Sequence, residues 1–120
     1  MFDGAGWERE IVAYALELGG IEEKIKDPKN KYKNLRVFRR AAEGEEANGR
    51  IFLIIHEGSD PLVVDFLVPE EIAREMVERF ETASQSPLLD KKRAVQLVLT
   101  GQFELADVRS FILQSQAQSE

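Results

Sequence analysis

The chain has 120 residues, 43% of them hydrophobic and 32% charged, with a formal net charge of −6; this length can bury a real core as one domain, residues 1–120, and the balance suits a globular protein. The lack of cysteine excludes disulfides, thiolate metal sites and cysteine nucleophiles. No window approaches the roughly 18 apolar residues of a membrane span, and the opening MFDGAGWERE lacks the basic-then-apolar order of a secretory signal, so a cytoplasmic location is the expectation.

The first predicted element is a helix. Trp7, Ile11, Tyr14 and Leu18 recur at i, i+4, i+7 and i+11, with Val12 and Ala15 beside them. Glu8 and Glu10 suit the positive end of its dipole, and Gly19-Gly20 stops it. A short helical turn is expected over IEEKIK, residues 21–26, before the turn-forming DPKNKYKN. Three strands follow in the prediction: LRVFRRAA over 35–42, RIFLIIHE over 50–57 and LVVDFLV over 62–68. Asn48-Gly49 and Gly58-Ser59-Asp60-Pro61 supply the turns between them, and connections this short imply an antiparallel meander.

Three helices are then expected. Pro69, Glu70 and Glu71 suit the start of the first, whose stripe is Ile72, Ala73, Met76, Val77 and Phe80. Ser86 followed by Pro87 reads as the N-cap of the second, which carries Leu88, Ala94, Val95, Val98 and Leu99 and closes at Thr100-Gly101. The third starts near Glu104 and packs through Leu105, Val108, Phe111 and Ile112, with residues 113–120 expected to fray. The fold class is therefore α+β: a three-stranded antiparallel β-meander flanked by an N-terminal helix and three C-terminal helices.

Alternation along the strands separates two faces. The simplest turn registers place Phe38, Leu53, Ile55, Leu62, Val64 and Phe66 on one, which reads as core. The other carries Val37, Arg39, Phe52, Ile54, His56, Val63, Asp65 and Leu67, and a one-residue slip would exchange the two sets. His56, the only histidine, lies diagonally across from Asp65 in this register. The plain reading of His56 is the polar end of a strand. The functional reading is a partner-binding face formed by Arg39, Phe52, Ile54, His56 and Asp65, because an interface combines aromatic and arginine anchors with a polar rim.

Charge is unevenly placed. Residues 22–40 hold eight basic and three acidic side chains, a local net of +5 that leaves −11 elsewhere. Within that stretch Lys29, Lys31, Lys33, Arg36 and Arg40 form a candidate basic patch, and Tyr32 and Phe38 are interleaved as on a phosphate-tracking surface. A sequence pI near 4.9 argues against nucleic acid as the partner.

Catalytic signatures are missing. Ser59 lies near His56 but not in a G-x-S-x-G elbow, and one histidine with scattered carboxylates offers no metal-ligand spacing. EGEE at 43–46 lacks the alternating ligands of a calcium loop. GAG at 4–6 opens a helix but follows no strand, so a nucleotide fingerprint fails. The expectation is a non-enzymatic interaction module (adaptor, assembly factor or chaperone-like accessory protein) without cofactor or metal. Its partner is a protein, with a homodimer as the variant of that idea. One rival is an electrostatic binder of an acidic partner or nucleic acid through residues 24–40, and the other is an enzyme whose polar groups converge only in three dimensions. Neither involves a membrane.

Overall fold

The computed structural model describes residues 4–26, 34–40, 50–89 and 92–118. Its elements in chain order are α1 (Gly4–Glu17), β1 (Gly20–Lys26), β2 (Asn34–Arg40), β3 (Ile51–His56), β4 (Leu62–Leu67), α2 (Glu70–Arg79), β5 (Ala83–Gln85), β6 (Ala94–Leu99) and α3 (Leu105–Gln118). The strands make one six-stranded sheet in the order β1-β2-β3-β4-β6-β5, with every neighbouring pair antiparallel.

This corrects the expected architecture. The meander of β2, β3 and β4 is present with β3 between its neighbours, but it is half of a larger sheet, and among the described residues three helices stand where four were expected. Residues 21–26 are the edge strand β1 rather than a helical turn. Ile21 and Ile25 are four apart, a spacing that shares a face in a helix and in a strand alike. The same degeneracy misplaced residues 94–99. Val95 and Leu99 satisfy a helical stripe, yet Val95, Leu97 and Leu99 equally satisfy the period of β6.

All three helices pack on one face of the sheet. Ile11 and Ala15 of α1, Ala73 and Met76 of α2, and Val108 and Ile112 of α3 share a core with Phe38, Leu53, Ile55, Leu62, Val64, Phe66, Val95, Leu97 and Leu99. Trp7, Tyr14 and Leu18 are half-buried at its margin. α2 is turned slightly from its predicted orientation, so Ile72 and Val77 are exposed while Ala73 and Met76 are buried. An aromatic chain closes the end near α3. Phe66 stacks on Phe111 with centroids 5.4 Å apart, and Phe103 meets both Phe111 and Phe80 edge-on.

The corner from α1 into β1 needs two glycines for two reasons. Gly19 has φ +86°, the left-handed conformation that ends a helix with little strain only when Cβ is missing. Gly20 has no such φ, but a Cβ there would come within 2.8 Å of both the Ala15 carbonyl oxygen and the Phe52 ring.

Phe52 lies under that corner because β3 is bulged. Phe38 pairs with Leu53 and Arg39 with Ile51, so Phe52 is an extra residue on its strand. The bulge turns its ring into the helix-covered core and corrects its expected place beside Ile54. α3 stabilises the irregularity from above. The buried Ser115 hydroxyl donates to the Phe52 carbonyl at 2.5 Å and accepts from the Leu67 amide at 2.7 Å. Both partners lie just past Leu53↔Phe66, the last pair of the β3–β4 ladder. Far from fraying at 113, α3 is helical to Gln118, and Gln116 donates to the Leu18 carbonyl. Ser115→Ala would leave a buried amide and carbonyl without their partner. It is expected to cost about 1–3 kcal/mol in urea denaturation, whereas Ser110→Ala on the exposed side of α3 should stay within about 0.5 kcal/mol.

Candidate functional site

The face of the sheet away from the helices carries Leu35, Val37 and Arg39 from β2, Ile54 and His56 from β3, Val63 and Asp65 from β4, and Gln96 from β6. Among the described residues no helix lies on it. Leu35, Val37 and Ile54 form a second buried cluster, against which Ile51, Leu88 and Leu89 pack. The cover is therefore partly the loop after β5, and Asp65 explains why that loop sits there.

Asp65 is fully buried in mid-strand. One carboxylate oxygen, Oδ1, accepts from His56 Nε2 at 2.7 Å, and the other, Oδ2, accepts from the Ser86 hydroxyl at 2.5 Å. The Gln96 side-chain amide, directly across the β4–β6 pair, lies 3.3 Å from each oxygen. Since His56 Nε2 gives its proton to the carboxylate, its 3.4 Å approach to the Gln96 amide nitrogen is proximity and not a second bond. Ser86 Oγ in turn accepts from the backbone amides of Leu88 and Leu89 at 3.2 and 3.1 Å. That is N-cap geometry, as the sequence suggested, but a turn and strand β6 follow instead of a helix.

The order of these groups matters chemically. A nucleophilic triad places histidine between serine and carboxylate, so that the ring can take the hydroxyl proton. Here the carboxylate stands in the middle and itself accepts the hydrogen bond from the Ser86 hydroxyl. His56, Asp65 and Ser86 are all buried, so the arrangement works as a lock between strands and loop. Ser59 is likewise buried and accepts from the Val63 amide at 2.9 Å. Among the described residues no three histidine or carboxylate side chains converge as metal ligands.

The expected partner-binding residues thus separate. Ile54, His56 and Asp65 do share a face, but as buried support. Phe52 belongs to the opposite core. Arg39 lies on the open face, 4.0 Å from Glu23, and lines a cleft with Arg50 and Arg93.

The basic patch is not one surface either. Arg36 and Arg40 point to the helix side. Arg36 donates to Glu22 at 2.6 and 3.0 Å and to Glu8 of α1 at 3.2 Å. Burial works against its charge, but Glu22 and Glu8 more than offset that and raise the guanidinium above its ordinary value. Arg40 donates to the Gln116 carbonyl at 3.1 Å. Lys29, Lys31 and Lys33 lie outside the described residues.

Sequence reasoning missed Ser86 and Gln96 as partners of Asp65. The signal was a polar interruption in each of two apolar runs, Asp65 in LVVDFL and Gln96 in AVQLVL. Two such breaks facing each other across a ladder share the cost of burial.

No family model matches the chain, and no curated protein matches it. Solved structures do match in fold. The Deinococcus radiodurans protein DR2400, with a domain designated DUF419, superposes with a TM-score of 0.71 at 19% identity over 90% of this chain and 74% of that one. A protein from Pseudomonas syringae superposes with a TM-score of 0.66 at 15% identity over 93% of this chain and 97% of that one. At these identities the likeness concerns the fold alone.

Asp65→Ala is expected to cost 3 kcal/mol or more, because it strands several buried donors at once. Ser86→Ala should cost about 1–2 kcal/mol, and the double variant less than the sum of the two. Urea denaturation of the three variants measures this. Additive losses would mean that Ser86 and Asp65 are not coupled.

Proposed function

We propose that this chain is a non-enzymatic protein-binding module of the cytoplasm, an adaptor or assembly factor, whose partner adds a strand to the outer edge of β1. The supporting observation is that edge. β1 is seven residues long and, among the described residues, pairs only with β2. Ile21 and Ile25, at 51% and 37% exposure, stand on its helix-free side. An open edge supplies backbone donors and acceptors, and alternate side chains beside it supply specificity. Lys24 and Lys26 discourage indiscriminate pairing. The buried His56–Asp65–Ser86 network is consistent with this reading, since it is committed to structure. The other edge, β5, is only three residues long. No helix among the described residues is long and apolar enough to cross a membrane.

This reading places the docking surface on β1, beside β2, in place of the expected face of Arg39, Phe52, Ile54, His56 and Asp65. Asp65→Ala is a folding perturbation and would not isolate binding. Ile21→Thr with Ile25→Thr is the cleaner probe, since threonine keeps strand propensity and removes apolar contact. The variant should keep its denaturation midpoint within about 0.5 kcal/mol and weaken a partner captured by the wild type about tenfold, or 1.4 kcal/mol. That loss should persist at high salt. Unchanged capture by the double variant would remove β1 as the docking edge. Capture abolished by salt alone would favour the rival reading through residues 24–40. A purified wild type that sediments as a dimer, with a monomeric variant, would make the partner a second copy.

A further inference from the structure

The helix-free face ends in a cleft of about 280 Å³. Three arginines reach it from three separate places in the chain: Arg39 on β2, Arg50 just before β3, and Arg93 just before β6. Ile51, Leu67 and Leu89 supply apolar wall, and Gln118 at the end of α3 completes it. We infer that this cleft is a binding site for a small organic anion with an apolar body, such as an aryl phosphate or a short-chain carboxylate. Nothing in the proposed β1 docking depends on it.

The first argument is unbalanced charge. Among the described residues the nearest carboxylate to any of the three guanidiniums is Glu23, 4.0 Å from Arg39. Arg93 has only the neutral Gln118 amide oxygen at 3.5 Å, and no described carboxylate pairs with Arg50. Elsewhere in the molecule arginines do meet carboxylates. Arg36 takes Glu22 and Glu8, Arg109 takes Glu10, and Arg74 takes Glu70. In a chain of net charge −6, three converging guanidiniums, of which only Arg39 meets a carboxylate among the described residues, and that one at 4.0 Å, favour an anion. Each planar fork can give two parallel hydrogen bonds to a carboxylate or phosphate.

The second argument is shape and lining. Inorganic anions need only charge, whereas Ile51, Leu67 and Leu89 offer contact to an apolar group. A few placed polar groups in an apolar wall are the usual composition of a small-molecule site. The volume of about 280 Å³ lies just below the usual range of such sites, which run from roughly 300 Å³ upward. It suits one ring or a short chain rather than a nucleotide. The floor is rigid. Leu89 is held by its amide on Ser86, and Ser86 by Asp65, while Leu67 is fixed through its amide on Ser115.

The test is titration of the full chain with phenyl phosphate and hexanoate, against benzyl alcohol as a neutral analogue and inorganic phosphate as an anion without an apolar body. Calorimetry and amide chemical shifts are the readouts. At least one amphipathic anion should bind with sub-millimolar affinity and shift the amides of Ile51, Leu67 and Leu89. Benzyl alcohol should not bind, and inorganic phosphate should bind at least tenfold more weakly. Arg50 and Arg93 are exposed, so Arg50→Gln and Arg93→Gln should leave the denaturation midpoint unchanged and weaken binding at least fivefold each. Failure of both anions to bind at millimolar concentration would overturn the inference. So would binding that both arginine variants retain in full, or inorganic phosphate binding as tightly as phenyl phosphate. None of these outcomes touches the β1 edge, whose own variant leaves the cleft arginines in place.

Discussion

A single buried carboxylate governs the helix-free side of this sheet. Removing Asp65 from water costs several kcal/mol before any partner is counted. The structure offsets that cost with donors drawn from β3, β6 and the loop after β5. Because the donors come from separate elements, satisfying the charge fixes their mutual positions. The lock extends one step further through the Ser86 oxygen, which receives the Leu88 and Leu89 amides and so seats those side chains over Leu35, Val37 and Ile54. An apolar residue at 65 could bury itself without specifying any of this. Polar networks of this kind favour one arrangement because each alternative leaves a member unpaired.

The two faces of the sheet are consequently built by different means. The helix side is held by apolar packing of three helices, and Ser115 stabilises the Phe52 bulge. The other side has a smaller apolar cluster and a polar lock, with no helix among the described residues. Helices hide their own backbone groups, but a thin loop cover leaves sheet margins open. That is why the exposed isoleucines of β1 and the three-arginine cleft both occur on this side.

Much of the central meander was legible in the sequence because turn chemistry and alternation agreed there. Gly58 to Pro61 divides β3 from β4, and two apolar faces mark β3 as central. Three failures have physical causes. Ile21/Ile25 and Val95/Leu99 are spaced by four, a multiple of the strand period and close to the helical one. Ser86 makes a real cap interaction, but a cap specifies only a turn, and the β-branched residues of AVQLVL decided for strand. Phe52 was assigned to the wrong face because strict alternation has no place for a bulge. His56 beside Asp65 was foreseen correctly, but Ser86 and Gln96 come from distant parts of the chain that no local pattern connects to it.

The fate of the basic stretch carries the same lesson into function. A run such as RVFRR cannot become one charged patch once it is a strand, because successive side chains leave opposite faces. Arg36 and Arg40 go to the helix side and become structural, one against Glu22 and Glu8 and the other on the last turns of α3. Arg39 goes to the open side, where its neighbours in space are Arg50 and Arg93 rather than its neighbours in sequence. Net charge over a segment therefore says little about what the segment binds until its period is known. Here the period divides the arginines into two that hold helix to sheet and one that lies beside Glu23 at the open cleft.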